Sequence, residues 1–132
     1  MGTETNNMKK VISTKNAPAA IGPYSQAILS KNTLYCSGQI AINPSTGNLV
    51  MDNITAETNQ VMQNISAVLT SADMDFSNVV KCSIFMKDMN DYAAINEVYA
   101  KSFGDNPPAR EALQVSVLPK NVNIEISVIA VK

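Results

Sequence analysis

Residues 107–131 read PPAREALQVSVLPKNVNIEISVIAV, and this stretch decides how the chain folds. The pattern predicts a rigid entry loop, a strand over Glu111–Leu118, a turn over Pro119–Asn121 and a second strand over Val122–Val131. We expect the two strands to pair antiparallel across the short turn. The second strand alternates, with Ile124, Ile126, Val128 and Ala130 on one face and Glu125, Ser127, Ile129 and Val131 on the other.

Two charged residues stand out in this stretch. Arg110 lies at the start of the first strand, and Glu125 lies within the apolar second strand. An unpaired buried carboxylate is costly, so we expect Arg110 and Glu125 to face the same small pocket. The residues alone leave two alternatives open. In the first alternative, Arg110 is an ordinary surface residue. In the second, Glu125 is a salt-bridged residue of an edge strand.

The chemistry of the two side chains is complementary. Two prolines precede Arg110 and restrict the backbone there. A guanidinium held in this way suits two-pronged binding of a carboxylate. A carboxylate in an apolar pocket has a raised pKa, which suits it to proton transfer. Glu125 is therefore the best candidate for a general acid or base.

The composition indicates one globular domain. The chain has 132 residues, of which 45% are hydrophobic and 16% charged, with a formal net charge of -1. We assign the domain to residues 9–132 and interpret residues 1–8 as a disordered tail or a remnant of expression. No basic stripe typical of a nucleic-acid binder is present. No apolar run is long enough for a membrane span or a signal peptide, so we expect a cytoplasmic location.

The chain has no histidine and two cysteines, Cys36 and Cys82. The absence of histidine excludes Ser-His and Cys-His catalytic groups and every histidine metal site. Neither cysteine belongs to a CxxC motif, so we interpret both as reduced thiols of the core. A reactive thiol or a disulfide is the alternative. The glycine-rich phosphate-binding motifs and the GxSxG motif are also absent.

Hydrophobic periodicity predicts two helices. The first spans about residues 55–71 and ends where Asp73 is expected to adopt the left-handed conformation. The second spans about residues 92–103, and its apolar face comprises Tyr92, Ile95, Val98, Tyr99 and Phe103. The apolar face of the first helix comprises Val61, Met62, Ile65, Val68 and Leu69.

The remaining segments predict strands over 9–13, 25–29, 33–37 and 79–86, which gives the order βββαβαββ. Two helices with one apolar face each cover only one side of such a sheet. We therefore predict that the other side, which carries Glu125, is a partly buried oligomer face.

Three further positions are candidates for the walls of a pocket. Tyr24 follows a Gly-Pro turn and offers an aromatic ring with a hydroxyl. Gly38 interrupts a strand, which suggests a bulge or a close approach of the backbone to a ligand, and Ser37 beside it offers a hydroxyl. Asn96 is a polar residue of the second helix. The alternatives are a packing tyrosine at position 24 and a solvated helix residue at position 96.

Several of these segments together resemble the RidA/YjgF family of enamine/imine deaminases. The resemblance covers nearly the whole chain after Lys9, and the spacing from Arg110 to Glu125 agrees with that of the family. Two positions depart from it, namely Ala112, where many members carry cysteine, and Asp73, where glycine is common. The matching segments are Asn16–Ala27, Ser37–Gln39, Val79–Lys81, Met86–Tyr92, Asn96–Tyr99, Pro107–Arg110, Leu118–Pro119 and Ile124–Ile126.

The resemblance implies a fold and an assembly. The fold would be α+β and chorismate-mutase-like, with a mixed six-stranded sheet and two helices packed on one face. Three chains would form a homotrimer, a trimeric barrel with the open sheet faces inside. Three active sites would lie in clefts between subunits.

The resemblance also implies an activity. The substrate would be a reactive 2-imino acid, or its enamine tautomer, released by a pyridoxal-phosphate enzyme. Hydrolysis of its C=N bond would give the 2-oxo acid and ammonia. Arg110 would bind the substrate carboxylate and Glu125 would activate the attacking water. No metal or cofactor is needed, because an imine is already electrophilic. The other substrate-binding residues would be Tyr24, Ser37, Gly38, Asn96 and Ala112, the last through its backbone carbonyl.

Two other functions stay open. The first is a non-catalytic trimeric module that binds small carboxylates or a regulatory partner, which needs Arg110 but not Glu125. The second is ribonuclease activity, which is sometimes attributed to this family. The net charge of -1 and the absence of histidine and tryptophan weigh against a nucleic-acid substrate, and we expect neither nucleic acid nor a membrane as a partner.

Overall fold

Two helices cover one face of a six-stranded sheet in the computed structural model, which describes residues 8–132. Apart from the exposed Met8, the tail predicted over residues 1–8 lies outside the described residues. The helices are α1 (Ile54–Ser71) and α2 (Tyr92–Ala100). The strands are β1 (Lys10–Ile12), β2 (Ala27–Ser30), β3 (Thr33–Cys36), β4 (Val79–Met86), β5 (Ala109–Gln114) and β6 (Ile124–Val131).

The sheet has the order β1-β2-β3-β6-β4-β5, and it is open, with β1 and β5 at its edges. All neighbouring strands are antiparallel except β4 and β5, which are parallel. The predicted mixed six-stranded sheet and the order βββαβαββ are therefore confirmed. Closure of three such sheets into a trimeric barrel stays a prediction.

The predicted antiparallel pairing of the last two strands is wrong. β4 lies between β5 and β6, and β5 pairs with β4 in parallel. The helix α2 supplies the long crossover that a parallel pair requires. β5 also ends at Gln114, so the strand predicted through Leu118 is shorter than expected. Between the strands, Lys120 and Asn121 adopt left-handed φ angles of 56° and 57° in a short helical turn.

Helix α1 follows from local signals in the sequence. The side chain of Asn53 accepts a hydrogen bond of 2.8 Å from the backbone N–H of Ala56 and caps the first turn. Val61, Ile65 and the other residues of the predicted apolar face are buried against the sheet. Asp73 adopts the expected left-handed conformation, with φ of 58°, just beyond the helix end.

Helix α2 is shorter than predicted. It begins at Tyr92 as expected but ends at Ala100. Residues 101–103 continue as tighter turns, in which each N–H donates to the carbonyl three residues earlier at 3.1–3.2 Å. Phe103 thus leaves the helix axis and packs edge-on against Phe76, with the ring centroids 5.4 Å apart.

The core lies between the sheet and the two helices. The alternation predicted for β6 is confirmed, since Ile124, Ile126, Val128 and Ala130 are all buried on the helix side. A fully buried carboxylate, Glu57 of α1, accepts 2.8 Å hydrogen bonds from the backbone and side-chain amides of Asn123. This clamp fixes the start of β6 and therefore the position of Glu125 two residues later. Within residues 8–132 neither helix combines the length and apolar character of a membrane span.

The opposite face of the sheet carries no helix. Val11 and Tyr35 on this face are 58% and 51% exposed, which is unusual for apolar side chains of regular strands. Lys81 and Glu111 form a 2.8 Å ion pair nearby, and Ser83 also donates to Glu111. That this mixed surface is an oligomer face stays a prediction.

Candidate active site

Glu125 lies against a glycine that leaves room for it. The segment after β3 pairs with β6 at one point. The N–H of Gln39 donates to the carbonyl of Ile126 at 2.8 Å, and the carbonyl of Gln39 accepts a 3.1 Å hydrogen bond from the N–H of Ile126. This bridge brings Gly38 onto the side chain of Glu125. A Cβ at position 38 would overlap Oε2 of Glu125 and lie 2.7 Å from its Cδ. The close backbone approach predicted at Gly38 is therefore present, and the group approached is Glu125.

Glu125 is a half-buried carboxylate without an ion pair. No lysine or arginine among residues 8–132 approaches it within 4.0 Å. Burial raises the pKa of Glu125 above its ordinary value. The alternative of a salt-bridged edge residue is wrong, because β6 is an inner strand of the sheet. The side chain has the environment of a proton-transfer group.

A small cavity of about 60 Å³ lies beside Glu125. Its walls include Ile21 and Tyr24 from the loop before β2, together with Gly38. Tyr24 is 49% exposed, and its hydroxyl accepts a 3.3 Å hydrogen bond from the backbone N–H of Ile21. Tyr24 and Gly38 thus line one cavity together with Glu125. That this cavity binds substrate stays a prediction.

The wall that carries Tyr24 is anchored by Gln26, which reasoning from the sequence did not single out. Its buried side chain donates to the carbonyls of Thr14, Ala17 and Pro18 at 3.1, 3.3 and 2.7 Å. It also accepts a 2.7 Å bond from the N–H of Thr14. One side-chain amide thus satisfies several backbone hydrogen-bonding groups of a loop that has no regular structure. The signal available in the sequence was a glutamine beside a proline-rich loop, which is too common to be diagnostic.

Ser37 stabilises the backbone that follows Tyr24. Its hydroxyl donates to the carbonyl of Ser25 at 2.6 Å, and its N–H donates to the carbonyl of Gln26 at 3.0 Å. The hydroxyl proton is therefore committed to the backbone that leads to Tyr24. Ser37 lies next to Gly38 as predicted, and a contact between Ser37 and substrate stays a prediction.

Arg110 lies in a second group of residues, formed with α2. Its Nη1 donates to Oδ1 of Asn96 and its Nη2 donates to the hydroxyl of Tyr92, both at 2.7 Å. The guanidinium carbon is 5.6 Å from the ring centroid of Tyr92 and 5.1 Å from that of Tyr99. The alternatives of an ordinary surface arginine and a solvated Asn96 are both wrong. Tyr92 was assigned to the apolar face of the helix, and its contact with Arg110 was missed.

A cavity of about 410 Å³ opens beside this arginine. Its walls are largely apolar and include Tyr99, Phe103 and the two prolines of the entry loop, Pro107 and Pro108. The prolines thus line the approach to Arg110, and their role in preorganising the arginine stays a prediction. Arg110 and Asn96 provide polar groups at the wall of an otherwise apolar space.

The prediction that Arg110 and Glu125 face one pocket is wrong within a single chain. Arg110 pairs with Cys82 of β4, whose side chain is buried on the helix side of the sheet. Glu125 pairs with Phe85, which lies on the opposite face because strand side chains alternate. The two charges therefore point to different faces. Ala112 shares the face of Arg110 and packs against the core with its side chain.

Both cysteines are free thiols, as interpreted from the sequence. Burial raises the pKa of Cys36 to about 12 and also raises the pKa of the buried Cys82. Thiolates are the reactive form of cysteine, so neither is suited to nucleophilic catalysis. Among residues 8–132 no group of three or more histidine, cysteine, aspartate or glutamate side chains could hold a metal ion.

Comparison with known proteins gives a consistent family. The family described as Endoribonuclease L-PSP matches residues 14–132. A RutC family protein of Pyrococcus horikoshii is 53% identical over 125 residues, which cover 95% of this chain and 99% of the relative. A protein of Rattus norvegicus named 2-iminobutanoate/2-iminopropanoate deaminase is 49% identical over 125 residues, which cover 95% of this chain and 91% of the relative.

Solved structures agree with this result. A protein of the conserved Rid family from Yersinia pestis superposes with a TM-score of 0.91 at 50% identity, covering 94% of this chain and 99% of that one. The motifs, the relatives and the fold point to the same group of proteins. This chain belongs to the Endoribonuclease L-PSP family, the RidA/YjgF family whose motifs its sequence carries.

Proposed function

We propose that the protein hydrolyses reactive 2-imino acids, or their enamine tautomers, to 2-oxo acids and ammonia. The observation that carries this proposal is Glu125, a carboxylate whose pKa is raised by burial and which lies against the backbone of Gly38 beside a small cavity. The rat relative named as an imine deaminase supports the choice of substrate.

Hydrolysis of an imino acid requires one group that binds the substrate carboxylate, here called the anchor, and one group that transfers protons. Arg110 is the anchor for the substrate carboxylate. Its guanidinium has five N–H donors, and two of them are used by Asn96 and Tyr92. The remaining donors suffice for a two-pronged carboxylate contact. No counter-ion occupies Arg110 within residues 8–132, so an anionic ligand meets an uncompensated charge.

Glu125 acts first as a base. It accepts a proton from water as the water oxygen forms a bond to C2 of the imine, and the imine nitrogen takes up a proton from solvent. The protonated carboxyl of Glu125 then donates its proton to the amino group, and the C–N bond breaks to release ammonia. The remaining hydroxyl proton returns to solvent as the C=O bond of the 2-oxo acid forms, so no net proton is gained or lost. Tyr24 and Gly38 wall the reacting centre, and the carbonyl of Ala112 holds the water.

The two halves of this site require a second copy of the chain. Arg110 and Glu125 point to opposite faces of one sheet, so one substrate cannot contact both within a monomer. We place the site between subunits of a homotrimer, with Arg110 from one subunit and Glu125 from the next. The exposed apolar residues of the open face, such as Tyr35, favour such an assembly. A cytoplasmic location belongs to the same proposal.

The test is a coupled assay in which a threonine dehydratase generates 2-iminobutanoate. Arg110→Ala and Glu125→Gln each lower the acceleration of imine hydrolysis by at least about a hundredfold and leave a measurable residual rate, and both variants stay folded. Mixing the two variants after dissociation restores activity, because random trimers place an intact Arg110 beside an intact Glu125 in about a quarter of sites. Full activity of either variant alone refutes the proposed function. Recovery of no activity on mixing refutes the shared site.

A non-catalytic module that binds small carboxylates is the second candidate. It is favoured by the arrangement of Arg110, which is held in place by hydrogen bonds independent of Glu125. Calorimetry with 2-oxobutanoate separates the two functions. Binding by the wild type without turnover of any imine supports the module, and binding by Glu125→Gln with loss of turnover supports the enzyme.

A further inference from the structure

We propose that the hydroxyl of Tyr92 is a positioning group for Arg110 and thereby sets the affinity for the substrate carboxylate. This inference rests on the proposed function in one respect, namely that Arg110 is the carboxylate anchor. Tyr92 itself acts through the guanidinium and is not required to touch the reacting atoms.

The geometry of the contact carries the proposal. Arg110 lies on the edge strand β5, which has a strand neighbour on only one side. A long side chain at such an edge has many rotamers, and fixing one costs conformational entropy. The guanidinium is nevertheless held at two nitrogens, each through a 2.7 Å hydrogen bond to α2. Two fixed nitrogens define the direction of the Nη1–Nη2 edge of the guanidinium, whereas Asn96 alone would fix only one end of that edge.

The helix supplies these contacts at a regular spacing. Tyr92, Asn96 and Tyr99 follow one another at intervals of four and three residues, which places them on one face of α2. The rings of Tyr92 and Tyr99 both lie within 6 Å of the guanidinium carbon, at 5.6 and 5.1 Å. The face of α2 whose apolar pattern indicates burial in the core thus contacts a cation, the guanidinium of Arg110.

The two tyrosines differ in the use of their hydroxyls. The hydroxyl of Tyr92 accepts the hydrogen bond from Nη2 of Arg110. The hydroxyl of Tyr99 is buried and makes no hydrogen bond of normal geometry within the described residues, although the Cys82 thiol lies near enough to influence its pKa. Both rings approach the guanidinium, so replacing each tyrosine by phenylalanine isolates the contribution of one hydroxyl.

The assembly of Arg110 with Tyr92 also favours an anionic ligand. The acceptors on Asn96 and Tyr92 are both neutral, so they orient the guanidinium without cancelling its charge. A carboxylate acceptor in either place would form an ion pair and compete with the substrate. The arrangement therefore preorganises the arginine and leaves its charge for the ligand, which reduces the ordering cost of binding.

The test compares Tyr92→Phe with Tyr99→Phe in the imine-hydrolysis assay. Loss of a hydrogen bond to a charged group predicts a rise in KM of about tenfold for Tyr92→Phe, with kcat within about twofold of wild type. The rise in KM for Tyr99→Phe is at least about fivefold smaller, because no hydrogen bond is lost. Calorimetry with 2-oxobutanoate gives the same ratio of dissociation constants without any need for turnover.

A double-variant cycle separates positioning from general stability. In an Arg110→Lys background the ammonium lacks the two-nitrogen fork, so adding Tyr92→Phe changes the dissociation constant for 2-oxobutanoate by less than about twofold. An equal tenfold loss in both backgrounds indicates a merely structural role and overturns the proposal. An unchanged or lower KM for Tyr92→Phe alone overturns it as well.

Failure of the inference and failure of the proposed function give different results. If the wild type hydrolyses imines and Tyr92→Phe binds 2-oxobutanoate normally, only the positioning role is refuted. If the wild type binds 2-oxobutanoate without turnover and Tyr92→Phe weakens that binding about tenfold, the positioning role stands and the enzymatic function is refuted.

Discussion

Replacing Gly38 by alanine is expected to disable the site while leaving the fold intact. The added methyl would lie 2.7 Å from Cδ and 3.0 Å from Cγ of Glu125, in addition to its overlap with Oε2. Real Cβ atoms do not approach carbon atoms this closely, so one of the two groups must move. The backbone at residue 38 is paired with β6 through Gln39. The carboxylate of Glu125 is the more mobile partner and is displaced from its place beside Gly38.

The two consequences differ in size. A side chain forced away from its preferred rotamer costs about 0.5–1.5 kcal/mol of stability, which corresponds to a fall in the melting temperature of about 4 °C. Misplacement of a catalytic group by about 1 Å costs about a hundredfold in rate. We therefore expect Gly38→Ala to melt a few degrees lower, about 4 °C, and to lose about 99% of its kcat/KM for the imine.

Two controls make the result decisive. Gly104→Ala meets no atom within 4 Å, so its melting temperature reports the effect of alanine alone. Combining Gly38→Ala with Glu125→Gln causes no further loss of activity beyond Glu125→Gln, because both changes act on one carboxylate. Wild-type kcat/KM in Gly38→Ala would refute the assignment of the Gly38–Glu125 contact to the active site.

Three other outcomes are expected. Burial raises the pKa of Glu125, so kcat/KM falls as the pH drops through a value above the pKa of an ordinary glutamate. This fall at acid pH is absent in Glu125→Gln. An unchanged acid limb in that variant contradicts the assignment of Glu125 as the general base. Gln26→Glu brings a carboxylate against three backbone carbonyls and lowers the free energy of unfolding by at least about 2 kcal/mol, measured by urea denaturation; an unchanged midpoint contradicts it. Because burial raises the pKa of Cys36 to about 12, its thiolate fraction at pH 8 is roughly a thousandfold smaller in the native protein than in denaturant. Iodoacetamide therefore labels it far more slowly in the native protein, and equal rates contradict its burial.

Local patterns in the sequence predicted the parts of the fold that depend on neighbours along the chain. The apolar face of α1 and the left-handed Asp73 follow from periodicity and capping, and both are confirmed. The alternation of β6 likewise reports its two environments, since Ile124 and Ile126 are fully buried. The role of Gly38 was also readable, because a glycine inside a strand indicates close approach of another group.

The pairing of β5 depends on distant residues and could not be predicted in this way. A short connection between two strands favours a hairpin, but here the connection carries the chain past β4 instead. The pairing of β5 with β4 also determines the face of the sheet that Arg110 occupies, because Arg110 lies opposite Cys82 in this pairing. The separation of Arg110 from Glu125 is thus a consequence of sheet order. Tyr92 was missed for another reason, since a tyrosine on an apolar helix face gives the same pattern whether its hydroxyl is used or not.

The position of β6 in the sheet has a consequence for the synthesis of the protein. β1–β3 form one antiparallel group and β4 and β5 form a parallel pair, and only β6 joins them. β6 is also the last strand to be synthesised, so the two groups stay unjoined until residues 124–131 are made. Until then β3 and β4 are both open edges that can pair with other chains. A premature stop before Ile124 should therefore yield two unjoined half-sheets.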